Sequence, residues 1–182
     1  MAPQFTTSYV EDARTVLRNY KTLAEGAMVQ LTDEELRVVL DPEMNSIALI
    51  VKHLVGNMRS RWTDFLTTDG EKPTRDRESE FRDPLASRDA LMQVWAEGWA
   101  LVFGALEALT DSDLTRTVTI RGEAHSVLQA ITRQLAHYAY HVGQIVFLAK
   151  HLRSAQWKSL SIPRGGSVAF PAPAGKGGAP PR

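Results

Sequence analysis

The chain has 182 residues, 43 % of them apolar, and its 21 Lys and Arg balance its 21 Asp and Glu to a formal net charge of zero. That length predicts one domain with a tail, and the charge balance argues against a large nucleic-acid footprint or a polybasic membrane contact. No uninterrupted apolar run is long enough to span a bilayer, and the absence of cysteine excludes disulfides, Cys-type zinc fingers, iron–sulfur ligation and a cysteine nucleophile, so any thiol chemistry must use an external thiol.

Met1–Thr6 has neither a basic stretch nor an apolar core of the kind that directs secretion, which favours the cytoplasm. Ser8-Tyr9-Val10-Glu11 has capping-box form, and a helix is predicted from there to about Leu31. Its apolar residues, from Val10 and Ala13 to Ala27 and Met28, recur at three- and four-residue steps, as one buried stripe requires. Thr32-Asp33-Glu34-Glu35 can cap a short helical turn. Asn45 or Ser46 starts a second long helix, from about Ile47 to Thr67, whose apolar positions repeat with helical period. Beside that stripe run His53, Asn57 and Arg61 at i, i+4 and i+8, a polar line on an otherwise apolar helix.

The segment Asp69–Asp83 is charged and long for a helix–helix connection. It reads as a solvated surface loop, or as a lid whose Arg75, Arg77 and Arg82 can meet an anionic substrate. Ser87 caps a third helix, to about Leu109, in which Trp95 and Trp99 are core or interface residues. Thr115–Ile120 is β-prone and Arg121-Gly122-Glu123 suits a turn, so a short extended segment or hairpin precedes the last helix. Ser126 caps that fourth helix, from about Val127 to Leu152. Gly143 lies inside it at a cost of ~1 kcal/mol relative to alanine, which suggests close packing there against a neighbouring helix or a metal pocket. The boundaries expected are a domain over 1–162 and a flexible Pro/Gly-rich tail over 163–182. Four long amphipathic helices with one scrap of strand predict an all-α four-helix bundle.

His137 and His141 are four residues apart on the fourth helix, so at ~3.6 residues per turn their rings share one face. Two imidazoles do not complete a metal site. His53, the one histidine of the second helix, can supply a third, and three ligands leave a position open for water or substrate. On spacing alone, His-x-x-x-His without a glutamate of the metalloprotease type fits surface or packed histidines better than a metal. His125, just before the fourth helix, reads as a surface residue or a neighbour of the pocket. His151 is off the ligand face and suits the negative end of its helix. Arg133 shares the face of His137 and can bind an anion or pair with a third-helix carboxylate such as Glu97. Asn57 and Gln144 are candidates to orient imidazoles, and Arg61 is a further substrate candidate. Tyr138 and Tyr140 point away from the ligand stripe, as packing or interface residues.

The segment His137-Tyr-Ala-Tyr-His141-Val-Gly143-Gln144 resembles the His-x-x-x-His-x-Gly-Gln signature of the DinB-like superfamily, and Lys52-His53 with Asn57 and Arg61 resembles its other His element. The Asp69–Pro73 and Thr119–Glu123 segments are similar to those of an uncharacterised bacterial subfamily, and the resemblance covers about residues 5 to 162. It implies a four-helix bundle, often homodimeric, with a divalent metal on His53, His137 and His141. It also implies kinship with transferases and isomerases that use low-molecular-weight thiols. Imidazole ligands suit zinc or nickel, with iron, manganese or copper as further options. The expected function is a metal-dependent enzyme activating water or an external low-molecular-weight thiol on a small-molecule substrate, of thiol transferase or hydrolase type. The alternative is a non-catalytic dimeric metal-binding bundle or a stress-response binding module.

Overall fold

Each long helix begins at a serine whose hydroxyl accepts the backbone N–H three residues on. In the computed structural model, which describes residues 6–166 apart from 83 and 86, Ser8 caps α1 (Tyr9–Met28) and Ser46 caps α2 (Ile47–Trp62). Ser87 caps α3 (Arg88–Glu107) and Ser126 caps α4 (Val127–Arg153). Such a cap satisfies an otherwise orphaned first-turn donor and contributes ~1 kcal/mol. At α4 the cap is reciprocal: Gln129 Oε1 accepts the Ser126 N–H at 2.8 Å. The first five residues, and residues 167–182 of the tail expected to be flexible, lie outside the described residues.

The apolar stripes meet in one core. Leu17 and Met28 of α1, Leu54 and Met58 of α2, Trp95 and Trp99 of α3, and Tyr138 and Ile145 of α4 are all fully buried. α2 packs chiefly on α3 and α1 on α4, while α2 also meets α4 across the bundle. The two tryptophans are core residues, edge-to-face at 5.5 Å. The chain is thus the expected four-helix bundle, and no helix among the described residues is long and apolar enough to cross a membrane.

The extended segment before α4 is a hairpin of β1 (Thr117–Ile120) and β2 (Glu123–Ser126), antiparallel and in the register Thr117 to Ser126. Arg121 and Gly122 form its two-residue turn, both at positive φ (56° and 77°), the backbone of a type I′ hairpin. Val118 and Ile120 face the bundle and are buried.

Two elements depart from the periodicity. α2 stops at Trp62, short of Thr67, because the chain turns through Asp64 at φ 50° and doubles back. Ser60 Oγ then donates to the Gly70 carbonyl at 2.8 Å and accepts the Lys72 N–H at 3.0 Å. Phe65 still packs on Trp62, ring centroids 5.0 Å apart, so an apolar position that fits a helix is filled from a turn. Gly143 was expected to pack closely, yet a Cβ built there meets nothing within 4 Å. Two residues on from His141 it is rotated by ~200°, which puts it on the outer face of α4. After α4, Gln30 holds the Lys158 backbone through both its amide atoms, at 2.8 and 3.0 Å, and so docks the segment that carries Trp157.

Candidate metal centre

α2 and α4 bring His53, His137 and His141 together, each offering one ligand nitrogen within 4.8 Å of the others. The histidine spacing on α4 sets two rings edge-to-face with centroids 4.7 Å apart, and His53 reaches them from the facing helix, 4.9 Å from His141 and 5.3 Å from His137. His53 Nε2 and His137 Nε2 are 3.2 Å apart. Two nitrogens each ~2.05 Å from one ion at a tetrahedral angle stand ~3.3 Å apart, so this edge fits a zinc-type ion. A shared proton would need only two nitrogens; the third converging imidazole is what a cation requires. No other group of three or more His, Cys, Asp or Glu residues among the described residues has this geometry.

The outward nitrogens of His53 and His141 are occupied. Glu80 Oε2 lies 2.9 Å from His53 Nδ1. An ionised carboxylate only accepts, so Nδ1 carries the proton and Nε2 keeps its lone pair. Gln144 Oε1 does the same for His141 Nδ1 at 2.8 Å. Phe81 stacks on the His53 ring, centroids 4.9 Å apart and planes 26° apart.

Glu80 and Phe81 belong to the charged segment, whose Arg75 is buried and engaged while Arg77 and Arg82 stay exposed. Arg75 holds Glu80 through two bonds, Nε to Oε1 at 2.7 Å and Nη2 to Oε2 at 3.0 Å, with both side chains over 90 % buried. Behind them Glu71 takes Arg75, Arg61 and Arg121. Arg61 also donates to the Gly70 carbonyl. The segment is tied to the hairpin turn: Asp69 accepts the Arg121 and Gly122 N–H groups at 2.9 and 2.8 Å, and the Gly70 N–H bonds to the Thr119 carbonyl at 2.8 Å. Gly56 permits the approach from the helix side, since a Cβ there would lie 2.6 Å from the Glu80 carboxylate carbon.

These surroundings set the protonation states. Burial, then the neighbouring His141 and His53, pushes His137 down to about 3. Burial lowers His141 too, against the bond from Gln144. Both imidazoles are therefore neutral at ordinary pH, the state in which a ring nitrogen can take a metal. Burial works to raise the Glu80 carboxyl, but the bonds from His53 and Arg75 outweigh it and hold it below the usual range, ionised.

The remaining candidates fall in different places. Asn57 does not touch an imidazole: its Oδ1 accepts from the Tyr138 hydroxyl at 3.1 Å, and that hydroxyl accepts from Trp62 Nε1 at 2.8 Å. Tyr138 is a buried strut between α2 and α4, and burial raises its phenol further from ionising. Arg61 is buried in the loop clasp. Arg133 is exposed beside His137 and does not pair with Glu97, which takes Arg59 at 2.9 Å. Arg82 is exposed, with Glu78 3.9 Å away. His125 bonds to the Glu123 carbonyl within its own strand, and His151 is exposed at the end of α4. Glu80, Phe81 and Gly56 were missed from sequence. The available signal was a lone Glu-Phe pair inside an otherwise solvent-loving run.

A family model described as a protein of unknown function (DUF1572) matches residues 4–166. The chain belongs to the DUF1572 family. This DUF1572 protein also has a DinB-like fold. A DinB-like protein from Bacillus cereus ATCC 10987 matches it with a TM-score of 0.56 and 17 % identity, over 81 % of this chain and 95 % of that one. A conserved protein from Enterococcus faecalis matches with a TM-score of 0.62 and 15 % identity, over 80 % of this chain and 97 % of that one. At such identities the likeness is one of fold. No protein of curated function matches the sequence.

Proposed function

We propose that His53, His137 and His141 bind one divalent transition-metal ion, and that the protein is a metal-dependent enzyme, a cytoplasmic homodimer, acting through water or an external low-molecular-weight thiol. The observation that carries this proposal is the convergence of three imidazole nitrogens, two of them 3.2 Å apart, with the outward nitrogens of His53 and His141 already bonded. Three protein ligands leave room for a small molecule, as in catalytic rather than structural sites. A divalent ion there supplies Lewis acidity, lowering the pKa of a coordinated water or thiol and polarising a substrate oxygen. Imidazole donors suit zinc, nickel, iron and copper, with manganese a further option.

The protein's own groups orient and shield. Glu80 and Gln144 fix the ring directions of His53 and His141, and Phe81 covers one face of His53. A buried ion pair such as Arg75–Glu80 costs several kcal/mol in desolvation, and an apolar pair would pack as well. What only the carboxylate supplies here is an acceptor for the His53 N–H. The absence of cysteine makes any thiol substrate external. For the homodimer, α4 offers a face on which Tyr140 and Phe147 are 63 % and 67 % exposed.

A second function is supported by one specific observation: Glu80 is fully engaged, and among the described residues no carboxylate lines the cavity beside His53 and His137 to serve as a general base. That favours a non-catalytic metal-binding bundle. The separating experiment reconstitutes the protein with zinc, nickel or manganese and follows thiol consumption and hydrolysis with electrophilic substrates. A metal-dependent rate lost in His137→Ala supports the enzyme. Stoichiometric metal with no rate in any arm supports the non-catalytic bundle.

A further inference from the structure

Beside His53 and His137 lies an open cavity of about 230 Å3 with a cationic wall. Arg61, Arg75, Arg77, Arg121 and Arg133 line it, and no carboxylate among the described residues does. Glu71 and Glu80 stand behind, engaging Arg61, Arg75 and Arg121. Five guanidinium groups against Glu71, Glu80 and Asp69, the described carboxylates that touch this wall, leave it net positive. Arg77 and Arg133 are exposed and enter no ion pair among the described residues. Arg61 and Gln134, only 5 % and 4 % exposed, lie on the same wall, and Arg61 Nε and Gln134 Oε1 have no hydrogen-bond partner. A buried guanidinium whose outer nitrogens are taken by the loop while its inner N–H is left over is a built feature, unlike a scatter of surface arginines.

We propose that this cavity binds the anionic oxygen group of a small substrate, a carboxylate or a phosphoryl-type group, with Arg77 and Arg133 as the cations that close on it. Planar guanidinium forks match such oxyanions and hold them in a fixed direction. The size limits the ligand: 230 Å3 is room for about eight waters at ~30 Å3 each, below the ~300–1,000 Å3 of sites for drug-sized ligands. A nucleotide or a peptide does not fit inside. His53 and His137 line the same cavity, so an anion seated on the arginines places the rest of a short bifunctional molecule beside these two imidazoles. As a substrate site it rests on the metal proposal above. As an anion site it stands on the arginines alone.

The test is calorimetry at low ionic strength, with succinate and inorganic phosphate as probes, on metal-loaded and on metal-free protein. The variant is Arg77→Gln/Arg133→Gln, both positions being exposed, with circular dichroism and metal content as controls. Wild type is expected to bind at least one probe at a single site in both forms, more weakly as salt rises. The double variant is expected to bind about tenfold more weakly or worse, with unchanged metal content and fold, and Arg133→Lys to fall between. Binding of succinate alone assigns the carboxylate class, and binding of phosphate alone assigns the phosphoryl class. If neither probe binds wild type, or the double variant binds like wild type, the anion site is wrong. Arginine-dependent binding to metal-free protein upholds the cavity even if the histidine variants keep their metal, so the two failures are distinguishable.

Discussion

His141 and His53 are oriented in opposite ways. Gln144 supports His141 from one turn along the same helix, so that support is present whenever α4 is folded. Glu80 supports His53 from 27 residues away, on an irregular segment that must itself be held by Arg75, backed by Glu71 and fastened to the hairpin through Asp69. Local support is robust and isolated. Remote support couples the site to the docking of a whole segment, so a change at the hairpin or inside α2 reaches an imidazole it never touches.

The largest effect expected is from removing the remote support. Glu80→Ala strips His53 Nδ1 of its acceptor and leaves the buried Arg75 with only Glu71, 3.4 Å away and shared with Arg61 and Arg121. Breaking such a pair costs about 3–5 kcal/mol of stability, and loss of a ligand's outer partner costs about 10–100-fold in metal affinity. The double change Arg75→Met/Glu80→Gln removes both charges and is expected to restore most of the stability measured by urea denaturation, while metal affinity stays below wild type. Recovery of both would make Glu80 a packing residue only.

A smaller break leaves every polar group in place. Gly56→Ala puts a methyl against the Glu80 carboxylate and is expected to cost about 1–3 kcal/mol and to weaken metal binding. Unchanged metal affinity in a folded Gly56→Ala protein would mean that the carboxylate does not orient His53.

His137 has neither kind of support, and its neutrality comes from burial and its neighbours. Between the ordinary value of 6.5 and about 3, the unfolded chain binds a proton at this position that the folded chain refuses. Stability of the metal-free fold is therefore full above that window and falls as pH falls through it. Urea titrations of metal-free protein at about pH 7 and about pH 5 are expected to show this loss, and His137→Asn to reduce it. An equal loss in the variant would count against a neutral, buried His137. The smallest effect is expected at the local support: Gln144→Ala leaves the fold unchanged and lowers metal affinity by about tenfold at most.

What the sequence made legible follows the same division. The serine caps, the apolar stripes and His137, His141 and His53 all express helical periodicity, which is local and survives into the fold. Glu80 and Gly56 are meaningful only once α2 and the charged segment are in contact, and no spacing rule announces that contact. The Asp69–Pro73 and Thr119–Glu123 segments stood out as separate stretches, yet they are the two sides of one clasp, Asp69 on the turn and Gly70 on β1. α2 ended early for a similar reason: the return of Gly70 and Lys72 to Ser60 decided the backbone where apolar spacing fitted a helix.

The central claim is that three imidazoles from α2 and α4 hold one metal ion. Metal content by mass spectrometry, on wild type and on His53→Ala, His137→Ala and His141→Ala purified in parallel, tests it most directly. The expected result is about one ion per chain in wild type and a loss to near background in each folded variant. Wild-type metal content in His53→Ala and His137→Ala would contradict it.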